Sequence, residues 1–397
     1  MKLVLAEKPS VARDLAAVMD PSAKRGEGCL QGTFATWTWA LGHLGELAPP
    51  EHYVPGLAGR WTLEALPVIP DTWALQPREG KDGAAAKQLA IIKGLLRKAE
   101  SVIVATDAGR EGELIWFYVR ALCMYSGPVQ RLWLSENTPA AVRAAFAALR
   151  PAQTALEAAA RARAQADWLV GMNATMALSA RHGGLWSAGR VQTPTLALLV
   201  SREAEIEAFT SEAYHVVRAT FEAEGDGYSG QWFHGDEDRV ASAAEADAVA
   251  TKVRGQKGRV ASIERKRAQE APPRLFNLTD LQRAANTQRG MTAAATLAAA
   301  QALYEAGLLT YPRTDSRHVT PEVASTFPAR LQALAGHQGV GVVAQRLAAQ
   351  GGLDPGKRVI DASRVTDHHA LLPTVCDIPK GGHAIGEKGA TSEVAPR

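Results

Sequence analysis

Tyr311 lies in "LLTYPRTDSRHV" (308–319), and Arg313, Asp315 and Arg317 follow it closely. A phenol has an ordinary pKa of about 10, so near neutral pH it attacks a phosphodiester only with help. Adjacent guanidinium groups favour phenolate and offer bidentate hydrogen bonds to a phosphate. The plain alternative is a half-buried tyrosine before a turn at Pro312. The stretch alone leaves both open.

A second set of groups is acidic. Glu7 and Asp107 close the apolar runs "KLVLAEK" (2–8) and "SVIVATD" (101–107), and Glu111 follows in "DAGREGE". Such runs read as parallel strands covered on both faces, whose ends meet along one sheet edge. Carboxylates gathered there repel one another and need a counter-charge. Mg²⁺ suits them, because it takes a few carboxylates and keeps its waters for phosphate oxygens. Equally, Asp107 caps the next helix and Glu111 belongs to a solvated face.

Periodicity supplies the elements that must hold these groups. After the first strand, Pro9 and Ser10 open a helix. "FATWTWALGHL" (34–44) alternates as a strand, 87–99 has helical spacing, and "EGELIWFYVRALC" resumes a helix after 101–107. Alternating strand and helix over roughly the first 145 residues predicts an α/β domain. Residues 138–208 read as helical with a Gly-rich break at "RHGGLWSAGR", and 213–265 as strands with turns. A second helical region runs through 347, with an Ala-rich helix reaching Tyr311 and ended by Pro312. The polar, Gly-rich end lacks periodicity and reads as disordered or foreign to the fold.

Bulk properties narrow the class. The chain has 397 residues and a net charge of +3, which permits an anionic partner without demanding one. Cys29, Cys123 and Cys376 are too scattered for a disulfide framework, and no CxxC pair is present. The apolar run before Glu7 is too short for a secretory leader, and no stretch is long enough to span a bilayer. A cytosolic protein is expected. "GGHAIGEK" has Glu387 where a Walker lysine belongs, and "GVGVVA" (339–344) follows a helix, so no nucleotide cofactor is expected.

Taken in order, "AEKPS", "TDAGREGE", "ARARAQADWLVGMNAT" (160–175), "SAGRVQTPTLALLV" (187–200), "LTDLQRAAN" (278–286), "YPRTDSR" and "DHHALLPT" (367–374) resemble the type IA DNA topoisomerases, specifically the bacterial topoisomerase III branch. The resemblance implies a multidomain α/β fold. A Toprim domain with a Rossmann-like parallel sheet would span 1–148, and the first part of helical domain IV 149–212. The first half of a β-rich arch, domain II, would span 213–270. Helical domain III, with the tyrosine, would span 271–376, and an atypical tail 377–397.

It also implies residue roles. Tyr311 matches the nucleophile, Arg313 the residue that stabilises phosphate charge, and His368 the histidine that assists cleavage; His369 is more variable. Glu7, Asp107 and Glu111 match metal and proton-transfer positions, and Lys8 a contact to the scissile phosphate. Gly109 departs from the commoner D-x-D-x-E pattern and removes a second carboxylate ligand. Arg163 and Asp167, four apart on one helical face, are either an ordinary ion pair or part of a nucleotide pocket. Ser187, Arg190 and Gln192 match contacts to single-stranded backbone.

The implied reaction is ATP-independent cleavage, passage and resealing of single DNA strands through a 5′-phosphotyrosine, with Mg²⁺ and with single-stranded DNA as partner. A cytoplasmic, nucleoid-associated location follows; no membrane is involved, and no helicase or recombination partner is specified. The return of the arch and of domain IV is missing, so the torus is expected to be incomplete. The alternative is a truncated DNA-binding remnant with at most oligonucleotide cleavage. A Toprim nuclease or primase would leave Tyr311 and "SAGRVQT" without a role.

Overall fold

The two apolar runs become central strands because both of their faces are covered. Leu3, Val4, Leu5 and Ala6 are fully buried in the computed structural model, and Val102, Ile103 and Val104 nearly so. The structure describes residues 1–79, 83–223, 225–337, 339–350 and 355–375. Cys376, the tail 377–397 and "GGHAIGEK" lie outside them. The chain forms two compact units, Met1–Arg190 with the segment from Pro273 onward, and Val191–Pro272.

In the first unit the strands are β1 (Lys2–Ala6), β2 (Lys24–Gly26), β3 (Cys29–Gln31), β4 (Thr36–Trp39), β5 (Gly45–Leu47), β6 (Leu75–Pro77), β7 (Ser101–Ala105), β8 (Val129–Arg131) and β9 (Arg150–Pro151). Seven of them form one sheet in the order β2-β3-β4-β1-β7-β8-β9, while β5 and β6 pair separately. The β4-β1-β7-β8 centre is parallel, with antiparallel strands at both edges.

Side chains alternate between the two faces, as a strand requires. Leu3, Leu5, Val102 and Val104 pack against Leu89, Ile92, Ile115 and Val119 from helices Ala84–Leu96 and Arg110–Cys123. Val4 and Ile103 turn the other way, onto Leu15, Trp37, Val142 and Phe146. The predicted α/β architecture is therefore present. Gly112 lets the Arg110 helix start hard against β7, since a Cβ there would lie 2.0 Å from the Asp107 carbonyl oxygen.

Helix Thr154–His182 follows, anchored by Trp168 and Met176 against Leu57 and Val68. It ends where the Gly-rich break was expected, with Gly183 and Gly184 at positive φ. Beyond Pro273, helices Leu278–Arg289 and Ala293–Glu305 are each N-capped by a side chain, from Asn277 and Thr292. Val319, Val359, Ala370 and Leu372 form a separate apolar core for this segment. The Ala-rich helix does not reach Tyr311. Gly307, at φ 72°, turns the chain out soon after Glu305, and Pro312 lies beyond that turn.

In the second unit, helix Gln192–Glu207 precedes an antiparallel pair, β10 (Arg218–Ala223) and β11 (Asp226–Gln231). Residues 213–265 are not strands and turns alone, because Ala243–Val253 is a helix. Its closely spaced alanines favour helix strongly enough to explain the difference. Among the described residues no helix is long and apolar enough to cross a membrane.

Candidate active site

Strands β1 and β7 are adjacent and parallel, with Ala6 opposite Ala105. The residues just past their ends, Glu7 and Asp107, emerge side by side, and a backbone hydrogen bond from Asp107 reaches Glu7. From far along the chain, the Tyr311 hydroxyl donates to Asp107 Oδ2 at 3.1 Å. Tyr311 is only 6% exposed. Its N–H donates to the Ser135 carbonyl (2.9 Å), its ring lies 4.5 Å from that of His368, and Tyr304 meets it edge-on at 5.3 Å.

Burial dominates the electrostatics. It raises the Glu7 carboxyl, with Asp107 as the next cause, and it raises Asp107 against the lowering effect of Tyr311, Lys8, Arg313 and Arg131. The expected effect of a guanidinium on Tyr311 is present but is not the largest. Arg313 does lower its pKa, but burial and the negative Asp107 outweigh it and push the phenol far up. The resting tyrosine is neutral, and its proton already points at a carboxylate.

Arg131 anchors this edge. It is 1% exposed and pairs with Glu113 at 2.6 Å. It also donates to the carbonyls of Val104, Thr106, Leu132 and Asp107 at 2.5–3.0 Å. The backbone carrying Asp107 is thereby held to β8.

Other expected groups are engaged differently. Glu111 does not join the other two carboxylates: His43 Nε2 holds its Oε1 at 2.5 Å, and that contact is the leading cause of its lowered pKa. Among the described residues no three His, Cys, Asp or Glu side chains form a metal-binding group. Two carboxylates, not three, converge. They still suit a cation, because Glu7 Oε2 is buried without a hydrogen-bond partner beside Asp107. A Cβ added at Gly109 would meet nothing within 4 Å, so the missing second carboxylate reflects residue choice rather than lack of room.

Lys8 Nζ pairs with Glu305 at 3.1 Å while its charge still acts on Glu7 and Asp107. His368 is buried and neutral, its pKa lowered to about 4 chiefly by desolvation. Its Nε2 meets the Ala108 carbonyl, its Nδ1 meets Ser135 Oγ at 3.2 Å, and its ring stacks on Trp133. Arg313 is exposed, and its charge acts on Glu7, Asp107, Glu111 and Tyr311.

A second cluster lies on the surface. Asp167 accepts from Arg190 at 2.7 Å and sits 3.8 Å from Arg163, whose charge acts on Glu111. Ser187 is exposed in the loop before Arg190. Gln192 begins helix Gln192–Glu207 in the second unit. Sequence reasoning missed Arg131, Ser135 and Glu305. The signal for the first two was "RLWLSEN", a charged residue entering an apolar stretch and polar residues leaving it.

Residues 151–384 match the family described as DNA topoisomerase, and residues 2–137 match the Toprim domain. The chain is 40% identical over 397 residues to a DNA topoisomerase 3 of Shouchella clausii, covering 98% of this chain and 53% of that protein. It is 38% identical over 379 residues to a DNA topoisomerase 3 of Bacillus subtilis, covering 94% and 50%. The full-length topoisomerase I structure from Thermotoga maritima shares the fold, with a TM-score of 0.62 at 23% identity, over 94% of this chain and 55% of that one. The chain thus spans about half the length of the relatives it matches. With both family regions present and the tyrosine brought onto the carboxylate edge, the chain belongs to the type IA DNA topoisomerase family.

Proposed function

We propose that this chain carries the cleavage centre of an enzyme that cuts, passes and reseals single DNA strands without ATP. The observation that carries the reading is the Tyr311 hydroxyl donating to Asp107 beside Glu7. As Tyr311 Oη attacks the phosphorus, its proton passes to Asp107. The bond to the 3′-oxygen breaks, and the leaving oxygen takes up a proton, for which Glu7, the carboxyl beside Asp107, is the donor in this reading. The product is a 5′-phosphotyrosine and a 3′-hydroxyl; the same transfers in reverse reseal the strand. No phosphodiester bond energy is lost to water, so no nucleotide is consumed.

Arg313 is the exposed charge positioned for the phosphate oxygens. Lys8 exchanges Glu305 for phosphate when DNA arrives. His368, with both ring nitrogens bonded, positions the tyrosine loop by contact rather than by moving a proton. Toprim domains generally bind a divalent metal. Glu7 and Asp107 would hold Mg²⁺ here, with Glu111 joining only after leaving His43. Bound there, the ion would neutralise the carboxylates and polarise a phosphate oxygen. Arg163, Arg190, Ser187 and Gln192 are assigned to the backbone of single-stranded DNA, and the site of action to the cytoplasm at the nucleoid.

A second reading is that this stretch cleaves oligonucleotides but does not complete strand passage. The test common to both readings is Tyr311→Phe. Incubated with labelled single-stranded oligonucleotide and Mg²⁺, the parent chain should form a denaturation-resistant adduct and the variant none. An adduct with the variant would refute the assignment.

A further inference from the structure

The segment that carries Tyr311 is fastened to the N-terminal sheet domain in an unusual way. The apolar clusters of the described residues belong either to residues before 190 or to residues after 273; none contains both. Apart from the Trp133–His368 stack and Tyr304 beside Leu132 and Leu134, the hold between them is polar, and much of it comes from one tripeptide. Ser135 accepts the Tyr311 N–H on its carbonyl and meets His368 Nδ1 with its hydroxyl. Glu136 pairs with Arg330. Asn137 donates to the Glu305 carbonyl at 3.2 Å, and its own carbonyl lies so near Gly307 that a Cβ there would stand 3.0 Å away.

The strip is stiff on its own side. Arg131 fixes the chain just before it, and Thr138, 4% exposed, caps helix Pro139–Ala147 just after it. On the opposite side Arg330 is 5% exposed and is itself fixed by Thr326 Oγ1 at 2.8 Å and the Pro373 carbonyl. Removing one partner of a buried pair is far more costly than removing an exposed one. An interface that shares no apolar cluster can part and re-form while each part keeps its own core.

We propose that Ser135, Glu136 and Asn137 are positioning residues, a docking strip for the tyrosine-bearing segment, with the Glu136–Arg330 pair as its main hold. The kinetic consequence rests on the cleavage reading above; the docking itself does not. Both attack and resealing need Tyr311 against Asp107. Loosening the strip therefore slows both by a similar factor and leaves their ratio unchanged.

The direct test is amide hydrogen exchange on the full chain. In Glu136→Gln the Tyr311 amide, bonded across the interface, should exchange about tenfold faster or more. The Thr310 and Ala370 amides, bonded within the segment to Leu372 and His318, should keep their rates, as should β1. Asn137→Ala should show a smaller change at Tyr311 in the same pattern. Unchanged exchange at Tyr311 in both variants, or equal acceleration at Thr310 and Ala370, would overturn the proposal. In parallel, Glu136→Gln should slow adduct formation and reversal alike; a changed equilibrium fraction would contradict the positioning role. If the parent chain forms no adduct, the cleavage reading fails while the exchange result still decides the docking strip.

Discussion

Two ion pairs in this chain have nearly equal lengths and unequal consequences. Arg131 and Glu113 meet at 2.6 Å with side chains 1% and 3% exposed. Arg190 and Asp167 meet at 2.7 Å with side chains 44% and 47% exposed. The first pair is sealed behind the carboxylate edge, where charge has no water to fall back on. The second faces solvent, where water and salt compete for both partners. Distance does not separate a structural strut from an exposed pair that water and salt can loosen. Burial does.

The largest effect should come from breaking the sealed pair. Glu113→Gln leaves a buried guanidinium short of its counter-charge, which typically costs about 3–5 kcal/mol. Urea unfolding should show that loss. A change below about 1 kcal/mol would mean that the carbonyls around Arg131 satisfy it alone, and the contrast between the pairs would collapse.

An intermediate case sharpens the comparison. Gly109 borders the carboxylate edge and has open space for a side chain. Gly109→Asp should add a ligand and lower the Mg²⁺ concentration for half-maximal binding severalfold, on the order of 1 kcal/mol. Titration calorimetry, which needs no turnover, checks this. Unchanged or weaker binding would remove this edge from the metal site.

The smallest effect belongs to the exposed pair. Arg190→Ala and Arg163→Ala should each change folding stability by less than about 1 kcal/mol. Each should instead flatten the salt dependence of single-stranded DNA binding, by about 0.7 in log–log slope for every phosphate left without its arginine. Slopes equal to the parent's would show that these arginines serve Asp167 only.

What could be read from sequence divides along a similar line. β1 and β7 were legible because burial on both faces leaves an unbroken apolar run, and the acids closing those runs had to share an edge. Tyr311 stood out by its basic neighbours, which alone left two readings open, and its raised pKa was not legible at all. That depends on burial and on Asp107, 204 residues away in sequence. Glu111 turns to His43, another contact made only by the fold. Arg131 escaped because arginine is ordinarily a surface residue, and nothing local announces one sealed beneath a sheet edge. Helix Ala243–Val253 was absorbed into the strands around it, although its alanines carried the signal.

The proposed cleavage centre stands or falls with the Tyr311 oxygen beside Asp107 as the atom that joins DNA. The most direct measurement is to trap the covalent product on a single-stranded oligonucleotide, digest it and locate the nucleotide by mass spectrometry, with separate labels on the 5′ and 3′ sides of the break. One modified residue is expected, Tyr311, carrying the 5′-phosphate of the downstream fragment, with a free 3′-hydroxyl on the other. A nucleotide on any other side chain, or a 3′-phosphate linkage at Tyr311, would contradict it.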